Sequence, residues 1–227
     1  GVTLTAQQPM NNVVRVAYQA LAAVLGGTQS LHTNSMDETL ALPTEHAVQV
    51  ALRTQQLLAY ETGVPNVLDP LGGSYYVEAL TDQLEAEAES LFAEIDSIGG
   101  VVRGLEDGWF QRKIAQSAAR QQWEIEQHRR VIVGVNEFVT DEESLAIPLL
   151  KIGEQVDREQ RERLARVRAE RDQAVCDERL SRLREVARGT ENVFPHILDC
   201  ARTYCTLFEI RRALEDVFGA YREPVFF

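Results

Sequence analysis

The chain has 227 residues, 44% of them hydrophobic and 26% charged, with a formal net charge of −12; that balance fits one large domain, or one domain with a helical appendage, in a soluble globular protein. The acidic excess argues against non-specific binding to nucleic acid or to an anionic membrane, because both surfaces reward basic protein. No apolar run approaches the ~20 residues that a membrane span needs, and no leader-like segment opens the sequence, so a cytoplasmic location is expected.

In chain order, Val2-Thr3-Leu4-Thr5 alternates β-branched residues and predicts a strand. Asn11 or Asn12 is placed to cap a helix whose apolar face is Val13, Val14, Ala17, Leu21, Val24 and Leu25, stopped by Gly26-Gly27. Thr28 to Thr33 then predicts a second strand, parallel to the first. Pro43-Thr44-Glu45 opens the next helix, which ends near Gly63. A connector rich in Pro and Gly, Val64 to Ser74, leads to a long amphipathic helix from Tyr75 to about Ile98, with Leu80, Leu84, Leu91 and Ile95 on one side. Val101 to Gln127 is helical with a break at Gly108. Val131-Ile132-Val133-Gly134-Val135-Asn136 is the clearest predicted strand, short and continuously apolar.

Strands alternating with helices favour a parallel α/β architecture over residues 1–140. Residues 141–227 differ: Asp157 to Arg188 is dense in Arg and Glu at helical spacing and predicts a solvated helix pair. Val193 to Phe218 carries apolar residues at helical period. Cys176, Cys200 and Cys205 form neither a CxxC pair nor a metal set, and are expected to be reduced and partly buried.

The candidate site is the stretch from Gly26 to Pro43. Thr28, Gln29, Ser30, His32, Asn34, Asp37 and Glu38 crowd hydrogen-bonding groups just past a predicted strand, the usual ligand position in α/β proteins. The competing reading is that they satisfy loop backbone and cap the helix at Pro43. The ionised carboxylate of Glu38 accepts two hydrogen bonds side by side, which matches the vicinal hydroxyls of a ribose. Gln29 offers a donor and an acceptor to an amide or thioester carbonyl, and Ser30 a rotatable hydroxyl. His32 is expected to be a packed, hydrogen-bonded histidine, since His46, His128 and His196 stand at no metal-binding spacing from it. No nucleophile elbow, phosphate-binding loop or dinucleotide fingerprint occurs.

Leu4-Thr5-Ala6-Gln7-Gln8-Pro9, Asn11-Asn12-Val13-Val14-Arg15, the whole of Gly26 to Pro43, Asp69-Pro70-Leu71-Gly72-Gly73-Ser74-Tyr75 and Val133-Gly134-Val135-Asn136 together resemble the large subunit of adenosylcobalamin-dependent acyl-CoA mutases. The resemblance runs to Ala213-Leu214-Glu215-Asp216-Val217-Phe218-Gly219. It implies the C-terminal part of a (β/α)8 TIM-type barrel, largely helical, with a helical C-terminal extension. The implied activity is an isomerase reaction, a radical rearrangement of the carbon skeleton of an acyl-CoA such as methylmalonyl-CoA. Hydroxyisobutyryl-CoA and ethylmalonyl-CoA are alternative substrates, and a non-catalytic interaction module derived from a mutase is an alternative role.

By position, Glu38 matches the family's acid at the adenosyl ribose, Ala41 and Leu42 match residues that pack on cobalamin, and Gly1 matches a further cobalamin contact. Gln29 and Ser30 match positions facing the coenzyme A substrate. The family's catalytic histidine, most of its coenzyme A contacts and its cobalt-ligating domain have no counterpart here. The resemblance therefore implies partners that supply the N-terminal barrel portion and the cobalamin-binding domain, in an oligomer.

Overall fold

The computed structural model describes residues 2–140 and 147–222. They fall into two compact units, one ending at Lys151 and the other beginning at Ile152. The expected change of character at 140/141 falls at the edge of residues 141–146, outside the described residues. Among the described residues the chain is mostly helical, with no strand, and no helix is long and apolar enough to cross a membrane.

In the first unit, α1 (Asn11–Leu25) and α2 (Glu45–Glu61) pack on each other. Val16 and Ala20 of α1, Ala47 and Ala51 of α2, Leu4 and Met36 are all buried. The pairs Val16/Ala20 and Ala47/Ala51 stand one helical turn apart, so one stripe of each helix is covered. A single 3-10 turn, Val64–Asn66, follows α2. Beyond it come α3 (Tyr75–Ser97), α4 (Val101–Glu106) and α5 (Trp109–Glu126). Neither α3 nor α5 buries a residue. The apolar side expected for α3 exists, yet Leu84 is 58% and Leu91 46% exposed.

None of the three expected strands forms. A strand requires a neighbouring chain to take its peptide hydrogen bonds, and each of these segments finds a side chain or a turn instead. The Thr5 peptide is held by the Asn12 carboxamide. The 28–35 segment runs without a strand partner, its Leu31 carbonyl accepting from Gln55 of α2 at 3.2 Å. Val131 to Asn136 folds into a turn: the Gly134 N–H donates to the Glu137 carbonyl at 2.7 Å, and the Asn136 side chain accepts from the Ile132 N–H. Only an isolated bridge, Val133 to Glu137, remains there.

The second unit contains α6 (Glu154–Glu170), α7 (Gln173–Ala187), α8 (Phe194–Arg202) and α9 (Leu207–Phe218). The solvated helix pair expected for 157–188 is half correct. α6 buries nothing, but α7 buries Cys176, Leu180, Leu183, Val186 and Ala187 and packs on both α8 and α9. Its apolar residues share a face that the surrounding charges hide in the sequence. The three cysteines are free and buried in this core with Leu183, Ile210 and Ala213. Burial pushes the Cys200 thiol up to about 11.

The last helical stretch is broken between α8 and α9, where Tyr204 takes φ 62°. α9 then starts on a capping box: Thr206 Oγ1 accepts from the Glu209 N–H, and Glu209 accepts from the Thr206 N–H at 2.7 Å. Arg171, 3% exposed, donates to both oxygens of Glu209 at 2.6 and 2.7 Å.

Candidate functional site

The stretch between α1 and α2 is shaped from both ends. At Gly26-Gly27 the chain leaves α1, with Gly27 at φ 75° and the Thr28 N–H still reaching back to the Ala23 carbonyl at 3.2 Å. Thr28 to Ser35 is extended enough for alternate side chains to part company. Thr33 and Ser35 are buried; Thr33 Oγ1 donates to the Ala51 carbonyl at 2.8 Å and accepts from Gln55 at 3.0 Å. His32 and Asn34, on the alternate positions, meet the side chain of Glu38 instead.

Glu38 lies in the turn from Met36 to Leu40, its N–H donating to the Ser35 carbonyl at 3.2 Å. Asn34 Nδ2 donates to Glu38 Oε2, and His32 Nε2 stands 3.9 Å from Oε1. The Glu38 side chain is 25% exposed. It is thus a carboxylate oriented through Oε2, with Oε1 near His32 and partly open to solvent. His32 is 78% exposed, which corrects the expectation of a packed histidine: its place in the 32/34 register turns it away from the α2 side.

The turn is anchored beneath. Asn12, fully buried, uses its carboxamide on the Thr5 N–H at 3.1 Å, the Thr5 carbonyl at 2.8 Å and the Met36 carbonyl at 2.9 Å. That employment replaces the expected capping role: the residue before α1 is Met10, and no side chain caps the helix. Arg15 adds bonds to Asn12 Oδ1 and Thr5 Oγ1, both at 2.8 Å, and to the Val133 carbonyl at 2.7 Å. Sequence reading missed Asn12 and Arg15 as site supports, because their partners lie on three separate segments. Within the Pro43-Thr44-Glu45 opening, Thr44 caps α2, with Oγ1 accepting from the Ala47 N–H at 3.3 Å.

Glu38, Ala41 and Leu42 are brought together in this one loop, Ala41 half-buried and Leu42 57% exposed. Gln29 and Ser30 are exposed on the segment leading into it. Gly1 lies outside the described residues. Among the described residues no group of three or more His, Cys, Asp or Glu is placed to hold a metal ion.

A family model described as methylmalonyl-CoA mutase matches residues 1–220. The chain belongs to the methylmalonyl-CoA mutase family. It is 44% identical over 226 residues to the 2-hydroxyisobutanoyl-CoA mutase large subunit of Aquincola tertiaricarbonis, covering 99% of this chain and 40% of that protein. It is 44% identical over 226 residues to methylmalonyl-CoA mutase of Cereibacter sphaeroides, covering 99% of this chain and 32% of that one. With the Escherichia coli methylmalonyl-CoA mutase the identity is 43% over 224 residues, covering 99% and 31%. The chain therefore spans 31–40% of the length of these mutase-family relatives.

Proposed function

We propose that this chain is a C-terminal portion of the (β/α)8 catalytic barrel of an adenosylcobalamin-dependent acyl-CoA mutase, an isomerase converting methylmalonyl-CoA to succinyl-CoA. The observation that carries this reading is the Glu38 carboxylate, held by Asn34 with His32 beside it and open to solvent. A carboxylate so oriented accepts both hydroxyls of a ribose diol, and the exposed Leu42 in the same loop offers apolar surface to a corrin. These residues fit the ribose and one corrin edge; a cobalt ligand belongs to another domain or subunit. When bound, adenosylcobalamin supplies the radical chemistry of carbon-skeleton rearrangement, and the protein contributes binding, orientation and exclusion of water.

Within that division of labour, Gln29 and Ser30 orient the coenzyme A thioester through neutral hydrogen bonds. Neutral groups suit an intermediate with no full charge. The exposed apolar side of α3 supports a barrel completed by polypeptide outside this chain, in an oligomeric enzyme. The match at 44% to a 2-hydroxyisobutanoyl-CoA mutase large subunit favours a second substrate reading, the hydroxyisobutyryl thioester.

The test is made in the complete mutase that contains this chain. Glu38→Gln is expected to raise the KM for adenosylcobalamin by roughly tenfold, the loss of about one charge-assisted hydrogen bond. An unchanged KM overturns the ribose assignment. Turnover of methylmalonyl-CoA and 2-hydroxyisobutyryl-CoA side by side decides the substrate. Complete enzyme that turns over neither, and binds no adenosylcobalamin, would make the chain a non-catalytic module.

A further inference from the structure

Next to Glu38 stands a second carboxylate with a different employment. Asp37 is fully buried. Its carbonyl accepts from the Leu40 N–H at 2.9 Å and the Ala41 N–H at 3.1 Å. Its Oδ2 accepts from the Thr44 N–H at 2.9 Å and from Thr44 Oγ1 at 3.0 Å. The carboxylate therefore ties down the far end of the loop that carries Glu38, Ala41 and Leu42, while the middle rests on a main-chain carbonyl that any residue here would supply. The Asp37 main chain also follows Met36, whose carbonyl is held by Asn12, so the near end is fixed as well.

We infer that Asp37 is a positioning residue, which sets the geometry of Glu38 and of residues 40–42 for the cofactor by closing the 37–44 loop onto the start of α2. The inference rests on the reading that Glu38 meets the cofactor's ribose. An ionised carboxylate suits this place better than a carboxamide. Its bonds to Thr44 are charge-assisted, and the negative charge lies at the N-terminal end of α2, where the helix dipole favours it. The arrangement is costly: Asp37 Oδ1 is buried with no hydrogen-bond partner among the described residues. A loop needed only as a connector gains nothing from a carboxylate there; a loop that must present one side chain in one orientation gains rigidity.

Two readouts in the complete mutase and its cofactor-free form test this. In the cofactor-free protein, Asp37→Ala is expected to speed hydrogen exchange of the Thr44 amide, which loses its acceptor, by roughly tenfold, and of the Leu40 and Ala41 amides, whose acceptor carbonyl stays, by a smaller factor as the loop loosens, with the α1 amides unmoved. In the enzyme, D37A is expected to raise the KM for adenosylcobalamin by roughly tenfold, with kcat at saturating cofactor within about threefold and the KM for acyl-CoA within about twofold of the parent. Asp37→Asn, which keeps one oxygen for the two Thr44 donors but loses the charge, is expected to recover part of both effects. Should D37A not fold, Thr44→Val removes one of the anchoring bonds together with the α2 cap, and Thr44→Ser, which keeps both, is its control; the same split at smaller amplitude in T44V, absent from T44S, is expected.

Unchanged exchange and unchanged KM in D37A overturn the inference. So does a fall in kcat that tracks the folded fraction while both KM values stay put, which is the signature of a merely structural residue. Glu38→Gln measured alongside separates the two readings. If D37A shifts the cofactor KM and E38Q does not, the ribose assignment falls and the loop clamp stands; if E38Q shifts it and D37A does not, the clamp falls alone.

Discussion

The carboxamide of Asn12 donates to the carbonyl of Met36 at 2.9 Å while its other donor and its acceptor hold the Thr5 peptide. One side chain from the first turn of α1 thus fixes the N-terminal segment and the base of the Glu38 turn. Asn12→Asp puts an oxygen where Nδ2 donates to two carbonyls. The expected loss is about 2 kcal/mol in unfolding free energy, from two lost hydrogen bonds and an oxygen set against two carbonyl oxygens, offset in part by the Arg15 guanidinium at Oδ1. Urea unfolding reads it, and faster exchange of the Thr5 amide should accompany it. A variant as stable as the parent would show that the carboxamide network contributes nothing.

Gly134 sits at φ 79°, and a Cβ built there would come within 2.8 Å of Gln8 Cδ and Oε1. Gly134→Ala is therefore expected to destabilise by about 1–3 kcal/mol, part from left-handed backbone and part from the contact. Pairing it with Gln8→Ala should remove the contact but leave the backbone part, so a double-mutant cycle is expected to show coupling of about 1 kcal/mol. Strict additivity would place the whole cost in the backbone.

The Arg171–Glu209 pair is expected to contribute to the acid stability of the second unit. The Arg171 guanidinium, together with the Thr206 N–H and hydroxyl, holds the Glu209 carboxyl down to about 2, against an ordinary value of 4.5. A depressed carboxyl contributes stability that is fully present above pH 4.5 and is lost as pH falls toward 2. Glu209→Gln is expected to cost about 3 kcal/mol at neutral pH, because it leaves Arg171 buried without its counter-charge. The variant should also lose this part of the pH dependence. Unfolding midpoints measured from pH 7 to 2 check both; parallel curves for the two proteins would contradict the assignment.

The three thiols should be silent in the native state. With Cys200 raised to about 11 by burial, its thiolate fraction at pH 8 is roughly one in a thousand, before access is considered. Native protein is expected to take up no thiol-specific reagent on the time scale of minutes, and denatured protein to react at Cys176, Cys200 and Cys205 together. Rapid native labelling of any of them would contradict the packing of α7 against α8 and α9.

Where the chain closes its own hydrogen bonds within a few residues, the sequence by itself decided the outcome. The 11–25, 45–61 and 75–97 helices follow from apolar spacing and from Gly26, Thr44 and Ser74 at their ends, because a helix needs only its own next turn. The mutase resemblance was legible too, since Gly26 to Pro43 is a dense string of specific residues. Tertiary structure alone decided the rest. Whether 2–5, 28–33 and 131–136 are strands depends on a neighbour to pair with, and among the described residues each is claimed by a side chain or a turn. Likewise nothing local told that His32 faces solvent, that Asn12 is a buried staple rather than a cap, or that Asp37 and Glu38, adjacent carboxylates, part company. Burial and partner choice come from segments far apart in the chain, and neither periodicity nor residue type encodes which of them will meet.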